Sequence, residues 1–251
     1  MKLTPFIIFI ATFSLVACTP TSTPHSNNGG GHTQVATTEQ ARDLAVHDQG
    51  TDTEVIFAIE EDNRVFEDYG ISHTKEMHLI VVRDDLQYFQ HLHPKRDASG
   101  IWHTAFEAPA GGNYWHYADF VDREGNSHTI RFEKNYPGIS GTKGIVKNSE
   151  TEKGVDGYHF ALRSALAGHN ATFTYDITNA QGKHVQPEEY LGAMGHSVLI
   201  SPAGDFIHTH PSEDGPSLVF ETSLPSDDFY RVFTQFQIDG TVITVDFDWE
   251  P

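Results

Sequence analysis

Six histidines fall in two similarly spaced sets, His78, His91 and His93, then His196, His208 and His210. In each set a lone histidine precedes a His-x-His-Pro run. Three neutral imidazoles brought together suit zinc, copper or nickel, because their nitrogens are borderline ligands. The single cysteine, Cys18, excludes an internal disulfide and any multi-thiolate zinc or iron–sulfur site. A metal here must be held by His, carboxylate or Met. Met77 and Met194 each lie within two residues of a candidate ligand, and a thioether favours Cu(I), so their placement points to copper with zinc as the alternative. Both also have an ordinary reading as strand-start residues. Asp119 and Gln235 are candidates for an oxygen ligand or for orienting a ring from behind the ligands.

These side chains meet only if strands carry them to one face. Taking Asp84-Asp85 as the turn of a hairpin places His78 opposite His91 and Ile80 opposite Phe89. Opposed residues share a face, and the two-residue period of a strand adds His93 to it. Ser201-Pro202-Ala203-Gly204 supplies the equivalent turn for the second set.

The two hairpins belong to a longer repeat. At an offset of 118, Leu44, Gly50, Val55, Phe57, Ile59 and His78 fall on Leu162, Gly168, Phe173, Tyr175, Ile177 and His196. After one deletion, Phe89, His91, His93 and Pro94 fall on Phe206, His208, His210 and Pro211. Further on, Pro109, Tyr114, Tyr117, Asp119 and Phe120 match Pro225, Tyr230, Phe233, Gln235 and Phe236. Apolar residues alternate within each unit, turn residues recur every eight to twelve positions, and no helical stripe is sustained beyond residue 40. The expected fold is all-β, with two tandem antiparallel β-sandwiches of immunoglobulin-like or cupredoxin-like architecture. The expected organisation is a signal peptide at 1–17, a tether at 18–41, repeats at 42–133 and 160–251, and a linker at 134–159. His47, His73, His103, His116, His128, His159, His169 and His184 have no counterpart in the other repeat and read as surface or locally hydrogen-bonded residues. Trp102, Trp115 and Trp249 read as core.

From His78 to Pro94, and again from His196 to Pro211, the chain resembles a group of bacterial secreted proteins and lipoproteins. That group carries Met-His, Asp-Leu and Phe-x-His-x-His-Pro, followed by the Gly-x-Tyr-x-x-x-x-Asp-Phe seen here at Gly112 to Phe120. More distantly it is similar to YtkA-like and CopC-like β-sandwich domains, a resemblance that implies periplasmic copper handling. The second repeat departs from the pattern, with Gly195 before His196 and Gln235 in place of Asp.

The N-terminus implies a compartment. Lys2 precedes an apolar run from Phe6 to Val16, which is too short to span a bilayer but is sized for a signal peptide. Leu15-Val16-Ala17-Cys18 resembles the lipobox of bacterial lipoproteins, implying cleavage before Cys18 and its acylation. The expected location is extracytoplasmic, anchored in a lipid bilayer, with Thr19 after the cysteine favouring the periplasmic face of the outer membrane in a Gram-negative host. The polar stretch that follows, with His25 and His32, reads as a tether.

A formal charge of −19 disfavours nucleic acid and favours cationic ligands. Three functions fit these residues. The first is a metal-binding lipoprotein with two His-based sites. The second is a non-catalytic module that binds an envelope protein partner and whose histidines are structural. The third is a zinc-dependent hydrolase, since three His and an open position can activate water; no serine elbow, phosphate loop or evident general base accompanies them.

Overall fold

The computed structural model describes residues 44–140, 144–213 and 217–251. The expected signal peptide at 1–17, the candidate lipidation residue Cys18 and the expected tether at 18–41 lie outside the described residues. Those described form strands and turns with no helix, hence none long and apolar enough to cross a membrane.

The first repeat contains β1 (Leu44–Asp48), β2 (Glu54–Glu61), β3 (Arg64–Val65), β4 (His78–Arg83), β5 (Phe89–Leu92), β6 (Lys95–Arg96), β7 (Trp102–Ala105), β8 (Gly112–Val121) and β9 (Ser127–Tyr136). One sheet runs β1-β2-β7-β6 with β3 beside β2, and the other runs β5-β4-β8-β9. Val55, Phe57, Ile59 and Trp102 of the first sheet pack on Leu79, Val81, Tyr114, Ala118 and Phe120 of the second. This is an antiparallel sandwich with alternate residues directed inward.

The second repeat contains β10 (Glu152–Val155), β11 (Tyr158–Ala167), β12 (Asn170–Asn179), β13 (His196–Ile200), β14 (Phe206–Thr209), β15 (Pro211–Glu213), β16 (Ser217–Ser223), β17 (Tyr230–Ile238) and β18 (Thr241–Trp249). Its sheets, β10-β11-β12-β16-β15 and β14-β13-β17-β18, repeat the first pattern with β10 added at one edge. The connection between the sandwiches is shorter than 134–159. The β8/β9 hairpin pairs without interruption as far as Gly112 with Tyr136, and β10 pairs with β11 from Glu152. Backbone pairing carries these polar, weakly patterned ends into the sheets, where side-chain hydrophobicity alone would leave them out.

The two sandwiches pack against each other. Ile80, Val82, Leu86, Trp115 and Tyr117 form one apolar cluster with Val198, Ile200 and Phe229. Trp115 therefore belongs to this shared interface and not to its own sandwich core. Every residue of β4 and of β13 is buried, because the inner face of each strand meets its own sandwich and the outer face meets the other repeat. The contacts come in matched pairs. Phe89 stacks on Phe233 and Tyr117 stacks on Phe206, both with ring centroids 4.6 Å apart. Arg231 reaches the turn of the first hairpin at the Leu86 carbonyl (2.8 Å), and the Tyr117 hydroxyl donates to the Gly204 carbonyl in the turn of the second (3.1 Å). The duplicated unit thus meets itself about a local twofold axis, as two copies do in an isologous dimer.

Candidate metal centre

The first hairpin has a four-residue loop, Asp84 to Gln87, where a two-residue turn at Asp84-Asp85 is expected, and the second has a three-residue loop between Ser201 and Asp205. The Arg83 amide bonds the Tyr88 carbonyl and Leu86 takes a positive φ of 58°. The buried Asp85 carboxylate accepts from Arg83 Nε (2.8 Å) and from the Gln87 amide (3.0 Å), which holds the loop. The register is therefore Ile80 opposite His91 and Val82 opposite Phe89, two residues from the pairing a tight turn would set. A two-residue shift preserves the face, so His78, His91 and His93 still share one. In the second repeat Val198 pairs with His208 and Ile200 with Phe206, the same relation. That shared face is the outer one, at the twofold interface.

The structure brings all six histidines together. In each set, one nitrogen per ring lies within 4.8 Å of the corresponding nitrogens of the other two. Ring centroids within sets are 4.6–5.8 Å apart. Across the axis His91 and His208 are 5.4 Å apart, His78 and His208 5.5 Å, and His91 and His196 5.7 Å. The two sets are therefore one six-imidazole cluster. A cavity of about 10 Å³, the scale of one water-sized occupant, is lined by His78, His208, His210, Asp119 and Ser72 among others.

The hydrogen bonds fix which nitrogens face inward. His78 Nε2–H donates to the Ser72 carbonyl (3.0 Å), so its Nδ1 carries a lone pair. His91 Nδ1–H donates to Gln235 Oε1 (3.1 Å), so its Nε2 carries one too. These two lone pairs face each other at 2.9 Å with no proton between them. His93 Nε2, beside them, is buried without a partner. Across the axis His196 Nε2–H donates to the Tyr190 carbonyl (2.8 Å), and His208 Nδ1–H donates to Asp119 Oδ2 (2.9 Å), leaving His208 Nε2 buried and unpartnered. His210 Nε2 lies 2.9 Å from His196 Nδ1, and its own Nδ1 is unpartnered. Buried acceptors facing one another are unfavourable unless a cation lies between them. The 2.9 Å spacing is within about half an ångström of the ~3.4 Å expected for two nitrogens on one tetrahedral zinc.

Protons do not answer this need at neutral pH. Burial pushes the His78 imidazolium down to about 3, with the nearby His208 adding to the shift, and pushes His196 down to about 2. Burial also lowers His93 to about 4 and holds His91 and His210 well below the ordinary histidine range.

Asp119 and Gln235 pair in register with His78 and His196 on neighbouring strands, yet each reaches across the axis to the other repeat. Neither belongs to the inner sets; each orients a ring from behind. Met77 and Met194 do not join the imidazoles. Met77 is buried in the first sandwich core, on the opposite face of the sheet from His78, and Met194 packs against the second core. Gly195 stands where repeat one has Met77, because a Cβ there would lie 2.8 Å from the Phe236 ring and 3.1 Å from that of Phe220.

Two histidines are placed otherwise than as surface residues. His116 is buried in the first core, with Nε2 3.1 Å from the Tyr136 hydroxyl and its ring stacked on Phe132. His73 lies on the loop before β4 and stacks on His210 of the other repeat, with centroids 3.6 Å apart. No local pattern marks His73; its repeat counterpart is Leu191, and only the packing of the repeats brings it to the cluster.

The chain matches the family described as Domain of unknown function (DUF8832) twice, over residues 33–137 and 153–250. No curated protein matches it. Among solved structures it is similar to a two-domain fibronectin type-III segment of chicken tenascin, at 13% identity over 84% of this chain and 98% of that one, with a TM-score of 0.25. It is also similar to a tetra-tandem repeat from the extending region of a large adhesion protein, at 12% identity over 82% of this chain and 48% of that one, with a TM-score of 0.27. Likenesses this loose bear on neither site nor function. The two family matches, one per sandwich, together span most of the sequence, and the chain belongs to the DUF8832 family.

Proposed function

We propose that this protein is an extracytoplasmic lipoprotein that binds transition metal at the interface of its two repeats, through His78, His91 and His93 on one side and His196, His208 and His210 on the other. The observation that carries this reading is the 2.9 Å approach of His78 Nδ1 to His91 Nε2, both fixed as acceptors by the carbonyl oxygens behind them. Copper is the first assignment, supported by the resemblance to periplasmic copper-handling domains and by the all-imidazole donor set, which suits Cu(II). Zinc fits the same nitrogens, and with Met77 in the first core and Met194 packed against the second nothing here favours Cu(I). A cavity of about 10 Å³ leaves little room for a substrate, which supports binding over hydrolysis. The lipobox-like run ending at Cys18 supports lipid anchoring, and Cys18→Ala should release the protein from membranes.

The test is metal stoichiometry of the full chain in detergent, stripped by chelation and reloaded separately with Cu(I), Cu(II) and Zn(II), beside a His78/His91/His93 triple-alanine variant. The expected result is two equivalents of the preferred ion, falling to one in the variant. Retention of none of the three ions would refute metal binding. A second reading draws on the burial of the cluster between the repeats: the histidines serve only to order a module that binds an envelope partner. Under it, the alanine variant loses stability while metal retention is unchanged.

A further inference from the structure

We infer that the two halves of the cluster are inequivalent metal sites, each governed by a residue of the opposite repeat, and that the half containing His208 fills first because Asp119 lies behind it. The inference rests on the metal-binding reading above and adds the order of occupancy.

Apart from His73, which stacks on His210 and has Leu191 as its counterpart, the asymmetry sits at one pair of matched positions. His91 Nδ1–H donates to the neutral amide oxygen of Gln235 at 3.1 Å, whereas His208 Nδ1–H donates to the Asp119 carboxylate at 2.9 Å. Both partners are held from behind. Thr129 Oγ1 donates to Asp119 Oδ1 (2.7 Å), leaving Oδ2 for the histidine, and Gln235 Nε2 donates to Thr244 Oγ1 (3.0 Å), leaving Oε1. A carboxylate behind an imidazole fixes its tautomer, raises the basicity of the ligating nitrogen and offsets part of the metal's charge; an amide does only the first. His208 Nε2 is buried and unpartnered, directed into the cluster. With rings of the two sets 5.4–5.7 Å apart, a cation in one half repels a second in the other, which widens the difference. Asp119 and Gln235 are positioning residues. They act through the histidine they hold, across the axis, so each repeat sets the affinity of its neighbour's site.

The test measures Zn(II) affinity by competition with a chromophoric chelator at neutral pH on the full chain. His93→Ala leaves only the His208 half intact, and His210→Ala leaves only the His91 half. The first should bind one zinc about 10-fold or more tighter than the second. Adding Asp119→Asn should weaken the first by about 10- to 100-fold and leave the second unchanged. Adding Gln235→Glu should tighten the second and leave the first unchanged, a gain that misfolding does not produce. Equal affinities in the two single-site proteins would overturn the inference while leaving metal binding intact. So would Asp119→Asn weakening both halves alike, which would make it a prop of the interface only. Absence of zinc and copper binding in the parent chain would overturn both readings together.

Discussion

Four histidines of the cluster, His78, His91, His196 and His208, each have one nitrogen to give to a metal, and which one follows from what holds the other. Ser72 and Tyr190 supply main-chain carbonyls to His78 and His196, while Gln235 and Asp119 supply side-chain oxygens to His91 and His208. The thioethers take no part in this. Met77→Leu and Met194→Leu should each retain both metal equivalents and change stability by less than about 1.5 kcal/mol, as volume-conserving core exchanges do; loss of an equivalent in reloading would return a thioether to the site. His116 shows what a buried imidazole does away from the cluster. Burial lowers it to about 4, so the folded protein keeps it neutral where the unfolded chain, near 6.5, takes up a proton. Its contribution to stability is full above about pH 6.5 and is lost as pH falls towards 4. Denaturant titrations of the metal-free protein at pH 7 and pH 5 should therefore show a loss about 2 kcal/mol smaller in His116→Gln than in the parent.

At the scale of elements, β4 and β5 deliver His78 and His91, with His93 just past the end of β5, but the loop before β4 aims one of them. His73 and Thr74 both take left-handed backbone angles, with φ of 46° and 68°, and so do Leu191 and Gly192 in the matching loop, at 53° and 76°. The Ser72 and Tyr190 carbonyls that fix His78 and His196 come from these same loops. A β-branched residue at such an angle is strained, and Gly192 shows that the second repeat avoids the cost. Thr74→Gly should raise stability by about 1 kcal/mol in chemical denaturation without loss of metal; a fall in stability would mean that the Thr74 side chain itself holds the loop. The expected hairpin register failed by two residues because Asp85 organises a four-residue loop through Arg83 and the Gln87 amide. That network is not visible in a turn rule that counts only loop-forming residues. The histidine face survived the error because the shift was even.

At the scale of the whole molecule the two sandwiches behave as two halves of one dimer-like body. The buried Arg231 is its main polar tie, bonding Asp248 through two nitrogens at 2.6 and 3.0 Å and the main-chain carbonyls of Leu86 and Val146 at 2.8 and 2.6 Å. Arg231→Ala leaves the buried Asp248 carboxylate with the Asn148 amide but no cation, removes the Arg231 donors from two carbonyls, and should cost about 3–5 kcal/mol in equilibrium unfolding. Because those carbonyls belong to the first hairpin and the connecting segment, the variant should also weaken metal retention in both halves of the cluster. A stability loss without any change in metal affinity would show that the repeats dock without help from this tie.

Much of this architecture is local in origin and so was legible in the residues. The two-residue alternation of Val55, Phe57 and Ile59, its recurrence at Phe173, Tyr175 and Ile177, and the repeated His-x-His-Pro determined two β-sandwiches with three histidines on one strand face of each. Unbroken apolar runs at Leu79 to Val82 and at Val198 to Ile200 also carried a signal, since a strand buried on both faces need not alternate. What covers the outer face was not written in them. Only the tertiary structure decided that each repeat covers the other, that Asp119 and Gln235 serve the opposite histidines, that His73 reaches His210, and that both thioethers face away. Those contacts join residues about 90 to 145 positions apart through the docking of two surfaces. Strand periodicity specifies which face a side chain takes; it carries no information about what that face meets.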